Sequence, residues 1–265
     1  MLKYWIIAFV ITLAAAYYQR ITGPTYPVKA KVATVNGEVV CKLPRSAETS
    51  GDVLIEINVP ANTRGTLRYK RYNTHDNWTD YSLNAIDGKI KALLPAQPPA
   101  GKLVYEIELI QDGKQFELYP DPVVIRFKDP VPAWALVPHV IFIFLAMLLS
   151  NLTGLIAFRK KERVRLYVWL TVIVLFAGGM IMGPIVQKFA FGEYWTGVPF
   201  GWDLTDNKTL IAMIAWMAAL VVNYKKPSYG WIIAAAVVML VIFLIPHSMF
   251  GSELDYNTGI IKQGQ

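Results

Sequence analysis

The chain is poor in the residues from which covalent frameworks and active sites are usually built. It has one cysteine, Cys41, and three histidines in 265 residues. A single cysteine excludes an intramolecular disulfide and a cysteine-built metal centre. On a strand it reads as a small buried hydrophobe. Charge is also scarce, with 17% of residues charged against 54% apolar. No Gly-rich phosphate loop, CxxCH haem attachment, HExxH or GxSxG motif occurs, so the sequence names no reaction. Internal repeats of the kind that paired transporter halves show are missing too, which ranks a transporter component third among the functional readings. Acids thin out toward the C-terminus, with six after residue 130, and only Glu162 of these falls among basic residues.

What the chain does have is long apolar runs, which with positive mean hydropathy point to an integral membrane protein. Residues 4–18 form the first run, short of the about 20 residues a spanning helix needs. Ala14, Ala15 and Ala16 resemble a signal-peptidase site. Tyr17 and Tyr18 extend the run into an interface, which favours a retained N-terminal anchor, residues 1–19, over a cleaved signal. Four further spans follow: 133–158, 166–187, 209–224 and 229–246. The net charge of +7 is a topology signal and not a nucleic-acid signal. Five of the 26 basic residues lie within Arg159–Arg165, and Lys225-Lys226 sits between the last two spans. The positive-inside rule makes that end cytoplasmic. The N-terminus is then inside, and residues 20–130 and the tail 247–265 are extracytoplasmic.

Between the anchor and the four-span bundle (131–246) the periodicity changes to two. Leu103, Tyr105, Ile107 and Leu109 alternate with Glu106 and Glu108, and Val28, Ala30 and Val32 with Lys29 and Lys31. Asn36-Gly37, Asp87-Gly88 and Asp112-Gly113 supply the positive φ of tight hairpin turns. Seven or eight short strands over 20–130 predict an immunoglobulin- or fibronectin-like β-sandwich. The fold class expected is therefore an α+β membrane protein, an extracytoplasmic sandwich inserted between an N-terminal anchor helix and a four-helix transmembrane bundle. Tyr69, Lys70, Arg71, Tyr72, His75 and Trp78 look like a basic, aromatic nucleic-acid patch. With Asp76 and Asp80 interleaved, outside a membrane, they read instead as a solvated strand edge.

The stretch 189–209, FAFGEYWTGVPFGWDLTDNKT, joins two spans and is the centre of the functional reading. Asp206 or Asn207 can cap the following helix. Tyr194, Trp195 and Trp202 suit an interface or a partner. Proline breaks at Pro138, Pro184 and Pro246 point toward this loop, each freeing a backbone carbonyl that needs a partner, and Gly179 and Gly183 permit close helix contact. His139 and His247 flank the same region. In one reading His139 hydrogen-bonds a carbonyl released by a neighbouring kink. In another, His139 and His247 hold a haem b, or His247 binds a metal with Asp203, Asp206, Glu253 or Asp255. The function expected is a non-catalytic membrane subunit or assembly scaffold whose sandwich and loop dock a protein of the cell envelope. A membrane redox subunit is the alternative. The acids Glu193, Asp203, Asp206, Glu253 and Asp255 need compensation if gathered, and Lys188, Lys208 and Lys262 are the cations at hand. This predicts a tail folded back over the loop and ordered through Tyr256.

Overall fold

Two units make up the computed structural model, which describes residues 1–265 apart from 161–162, 227, 248, 250 and 263–265. Met1–Pro24 with Val131–Ser252 form a helical unit, and Thr25–Pro130 with Glu253–Lys262 a sheet unit. The fold is mixed α and β.

In the sheet unit, alternation produces strands with one buried face. β8 (Lys102–Gln111) turns Leu103, Tyr105, Ile107 and Leu109 inward. It lies in a sheet ordered β3 (Ser46–Glu48), β10 (Val123–Lys128), β8, β5 (Arg64–Arg71), β6 (Thr79–Asn84), and β9 (Lys114–Glu117) also pairs with β8. Only β3 and β10 run parallel; the other pairings of this sheet are antiparallel. β1 (Val28–Thr34) pairs with β2 (Gly37–Leu43), and β4 (Val53–Asn58) with β7 (Lys89–Leu94). All three sets bury their apolar faces in one core that includes Leu43, Ile57, Leu67, Ile90, Tyr105 and Phe127. Burial pushes the Cys41 thiol up to about 11, so it is a protonated core group at neutral pH. Tyr105 is buried as well, and its hydroxyl donates to the Pro44 carbonyl at 2.9 Å.

Asn36-Gly37 and Asp112-Gly113 make the hairpins β1–β2 and β8–β9. Asp87-Gly88 makes its turn, with φ of 50° and 72°, but the strands it joins pair elsewhere. β6 pairs with β5 and β7 with β4, leaving a single bridge between Ile86 and Lys89. The turn crosses between sheets because Ile90, Ala92 and Leu94 find their partners on β4.

Part of the tail belongs to the sheet unit: Glu253–Lys262 lies there, and β11 (Glu253–Leu254) pairs with β12 (Ile261–Lys262). Leu254 donates its N–H to Ala100 at 3.0 Å, and Glu253 meets Lys102 at 2.5 Å. Tyr256 places its hydroxyl 3.0 Å from the Lys102 carbonyl, beneath the Arg71 guanidinium. Leu254 and Tyr256 are thus satisfied within the sheet unit.

The helical unit comprises α1 (Leu2–Ile21), α2 (Ala133–Phe158), α3 (Val164–Leu175), a π-helical stretch Phe176–Met182, α4 (Gly183–Phe191), α5 (Leu204–Val222) and α6 (Tyr229–Leu244). Val164–Phe191 runs on as one helix of 28 residues. Among the described residues, four helices are long and apolar enough to cross a membrane: α1, α2, Val164–Phe191 and α5. α6 is apolar but has 16 residues. α1 reaches 20 residues and exceeds the expected run, because Gln19 and its neighbours continue the helix past the tyrosines. Small residues set the helix spacing. A Cβ on Gly154 would lie 2.7 Å from that of Ala236, and one on Gly178 2.7 Å from that of Phe142. Buried polar ties link helices as well: Asn151 donates to Thr12 at 3.0 Å, and the Thr153 and Thr171 hydroxyls meet at 3.2 Å.

Candidate functional site

α4 ends at Gly192, whose φ of +88° is the left-handed conformation that favours glycine. Lys188 closes this end by donating to the Gly192 carbonyl. The chain then folds against the start of α5. Gly197 is pressed onto that helix, since a Cβ there would lie 2.7 Å from Asn207 Oδ1 and 2.8 Å from Asp206 Cβ. The contact lets Asn207 Oδ1 accept the Val198 N–H at 2.8 Å. Phe200 and Gly201 donate back to the Gly197 carbonyl at 2.9 and 3.0 Å, and Asp203 donates to Thr196 at 3.1 Å.

The cap of α5 is Asp203, not Asp206 or Asn207. Its Oδ1 accepts the Thr205 N–H at 2.8 Å, so the helix starts five residues earlier than the apolar pattern indicates. Its Oδ2 takes the Ser252 N–H and hydroxyl at 3.2 and 3.1 Å. Asp206 points back beneath the loop and is 6% exposed. Its Oδ2 accepts the Thr196 N–H at 2.6 Å, the Thr196 hydroxyl at 3.1 Å and the Gln187 amide at 3.2 Å. Three donors on one carboxylate oxygen are what a buried charge requires. Gln187 also donates to the Thr196 hydroxyl, so α4, loop and α5 share one buried network.

Lys208 is 2% exposed and extends to the end of α6, where it donates to the Ile245 carbonyl at 2.7 Å. Gln19 of α1 donates to the carbonyls of Phe243 at 2.7 Å and Ile245 at 3.3 Å. The last carbonyls of α6, which Pro246 prevents from continuing a helix, are thus capped by two side chains. His139 Nδ1 lies 2.9 Å from the Gly178 carbonyl. That carbonyl also accepts the Gly183 N–H in the π-helical register. His139 therefore partners a carbonyl of the broken helix, and with Nδ1 as donor its Nε2 keeps a lone pair.

The candidate acidic metal ligands each have other partners. Asp203 and Asp206 serve the loop, while in the sheet unit Glu253 meets Lys102 and Asp255 meets Lys262 at 2.7 Å. No group of three or more His, Cys, Asp or Glu able to hold a metal ion occurs among the described residues. His247 lies exposed in the turn after Pro246, with Lys208 and His139 within electrostatic reach. Of the loop aromatics, Trp195 is half-buried and donates to the Val198 carbonyl at 3.1 Å, whereas Trp202 is 72% exposed. Tyr194 is exposed, with the Lys188 ammonium 5.3 Å from its ring centre. Phe200, 76% exposed, was not singled out by sequence, although it stands in the same aromatic run. Thr196, Ser252 and Gln19 were missed too. Single polar residues carry no pattern that announces a buried partner.

No protein-family model and no curated protein matches the chain. A solved structure described as a crystal structure of a Br derivative of BhCBM56 is similar over 37% of this chain and 98% of its own, at 11% identity and a TM-score of 0.28.

Proposed function

We propose that this is a non-catalytic integral membrane subunit that docks a protein partner through loop 192–203. The observation that carries this reading is the division of labour in the loop. Its inner side is fixed by the hydrogen bonds of Asp203, Asp206 and Asn207, while Tyr194, Phe200 and Trp202 stand exposed on a rigid frame. Carboxylates saturated with loop and cap donors are spent on structure. Rigid exposed aromatics are the residues that dominate protein interfaces. In this reading the sheet unit is an immunoglobulin- or fibronectin-like sandwich outside the cytoplasm, and a second platform for binding.

The experiment is site-specific photo-crosslinking in cells of origin, with the crosslinker at Phe200 or Trp202. A discrete adduct of defined mass is expected at both positions. Ile86, an exposed residue of the sheet unit, serves as control. Equal diffuse labelling at all three positions would sink the docking reading.

The redox alternative has one observation in its favour. Donation from His139 Nδ1 to a backbone carbonyl is the arrangement that orients a ligating imidazole through Nε2. An absorption spectrum of the reduced protein decides it. A Soret band with sharp α and β bands, lost in His139→Ala, would replace the docking subunit with a haem protein.

A further inference from the structure

The helical unit carries a second feature at the end opposite the loop. Arg159, Lys160, Arg163, Arg165, Lys225 and Lys226 are all exposed there. The described acids of this unit, Glu193, Asp203 and Asp206, lie at the other end. The two basic turns are joined, because Arg165 Nη2 donates to the Lys225 carbonyl at 2.7 Å. The second turn is built by a buried asparagine. Asn223 donates to Ala219 at 2.7 Å and to Ser228 at 3.3 Å, and accepts the Ser228 N–H at 2.6 Å. That clamp ties Asn223 to Ser228 and leaves Tyr224 and Lys225 exposed.

Beside this turn lies a groove of about 440 Å³ between α3 and the end of α5, lined by Trp169, Leu220, Val221, Val222, Tyr224 and Lys225. The volume falls in the range of small-molecule sites, roughly 300–1,000 Å³. One wall is apolar, the mouth is cationic, and Trp169 and Tyr224 are amphipathic rings of the kind that settle at headgroup depth.

We propose that this groove binds one anionic phospholipid, its acyl chain along Trp169 and Leu220–Val222 and its phosphate at Lys225 and Arg165. Charge complementarity selects the occupant. A zwitterionic lipid gains less from six exposed cations, and a free phosphate leaves the apolar wall unused. The inner leaflet of a cell membrane supplies anionic lipid where positively charged loops collect. The proposal rests on the membrane-spanning reading above.

The test is native mass spectrometry of the full chain in mild detergent, titrated with phosphatidylglycerol or phosphatidylcholine of matched acyl chains. One tightly retained phosphatidylglycerol is expected, preferred by roughly fivefold for each engaged cation. Lys225→Ala should remove about that factor, and Lys225→Arg should keep it. Trp169→Ala should weaken both lipids and leave the preference intact. The single Lys225→Ala variant keeps the test readable if Arg165→Ala loosens the turn. An unchanged preference in Lys225→Ala would overturn the proposal. Displacement of the lipid by millimolar inorganic phosphate would also overturn it, by showing a plain anion site. A carbonate wash of membranes separates the two levels of the argument. Release of the chain sinks the spanning reading together with the lipid site, whereas retention without headgroup preference sinks the lipid site alone.

Discussion

Asp206 and Lys208 stand two residues apart at the start of α5, and each is buried for a different reason. Asp206 is the acceptor that holds the loop, and Lys208 is the donor that ends α6. Removing an acceptor from buried donors costs about 1–3 kcal/mol for each donor left unmade. Asp206→Ala orphans the Thr196 N–H, removes an acceptor from the Thr196 hydroxyl and deprives the Gln187 amide of one of its two partners, so a loss of roughly 2–5 kcal/mol is expected in the loop. Limited proteolysis between residues 193 and 202 and graded denaturation in SDS measure it. A loop as protected as in the parent would contradict the network's role. In the sheet unit, Lys262 and the N–H groups of Asn257 and Thr258 hold the Asp255 carboxyl below its usual value. Arg71 does the same for Asp76. A carboxyl depressed in the folded state contributes stability that is fully present above its unfolded value, about 3.9. That contribution is lost as pH falls through the lower folded value. The Glu253–Lys262 segment should therefore keep its hydrogen-exchange protection, corrected for intrinsic rates, from neutral pH to about pH 5. Below about pH 4 it should lose protection progressively. Protection unchanged down to about pH 2 would assign its docking to Leu254 and Tyr256 alone.

At the scale of elements, the helices touch where side chains are smallest. Gly154 on α2 faces Ala236 on α6, and Gly179 faces Thr209 on α5. Gly154→Ala places a methyl 2.7 Å from the Ala236 Cβ, so α2 and α6 must separate. A cost of about 1–3 kcal/mol is expected. Gly230→Ala at the start of α6 meets nothing within 4 Å and supplies the control, with little or no change. The shift in SDS denaturation midpoint compares them. Such elements were legible in the sequence to the extent that their cause is local. The Leu103 to Leu109 alternation marks β8, and Asp112-Gly113 marks its hairpin with β9. The three-residue β3 is held by a parallel partner some eighty residues away, and nothing in its own composition indicates that. The Asp87-Gly88 turn was readable but its strand partners were not, because they depend on which core face Ile90 joins. Pro184 with Gly178 and Gly179 marked a broken helix, and the π-helical register that resolves the break puts the Gly178 carbonyl within reach of His139. The site was legible as a loop with acids and aromatics. Which acid caps the helix and which holds the loop follows from Gly197 pressing on α5, a tertiary contact.

For the molecule as a whole, the ends of the helical unit differ in charge, and that asymmetry makes an orientation testable. Gln19 meets the carbonyls of Phe243 and Ile245, which puts the C-terminal ends of α1 and α6 together. Arg165 meets Lys225 at the other end. The six exposed cations therefore share one end, and residues 20–24, the loop and Pro246 share the other. By the positive-inside rule we expect the cationic end to face the cytoplasm, since Lys and Arg in short loops resist translocation while Asp and Glu contribute little. A reporter active only in the cytoplasm should work when inserted within residues 159–165 and fail when fused after residue 265. A cysteine placed at Phe200 should react with an impermeant maleimide in intact cells, and one placed at Lys226 only after lysis. Cys41 is buried with a raised thiol value, so it contributes little background to that labelling. The opposite labelling pattern would place the aromatic loop in the cytoplasm. The partner sought by crosslinking would then be a cytoplasmic protein, and the groove beside Lys225 would face the outer leaflet.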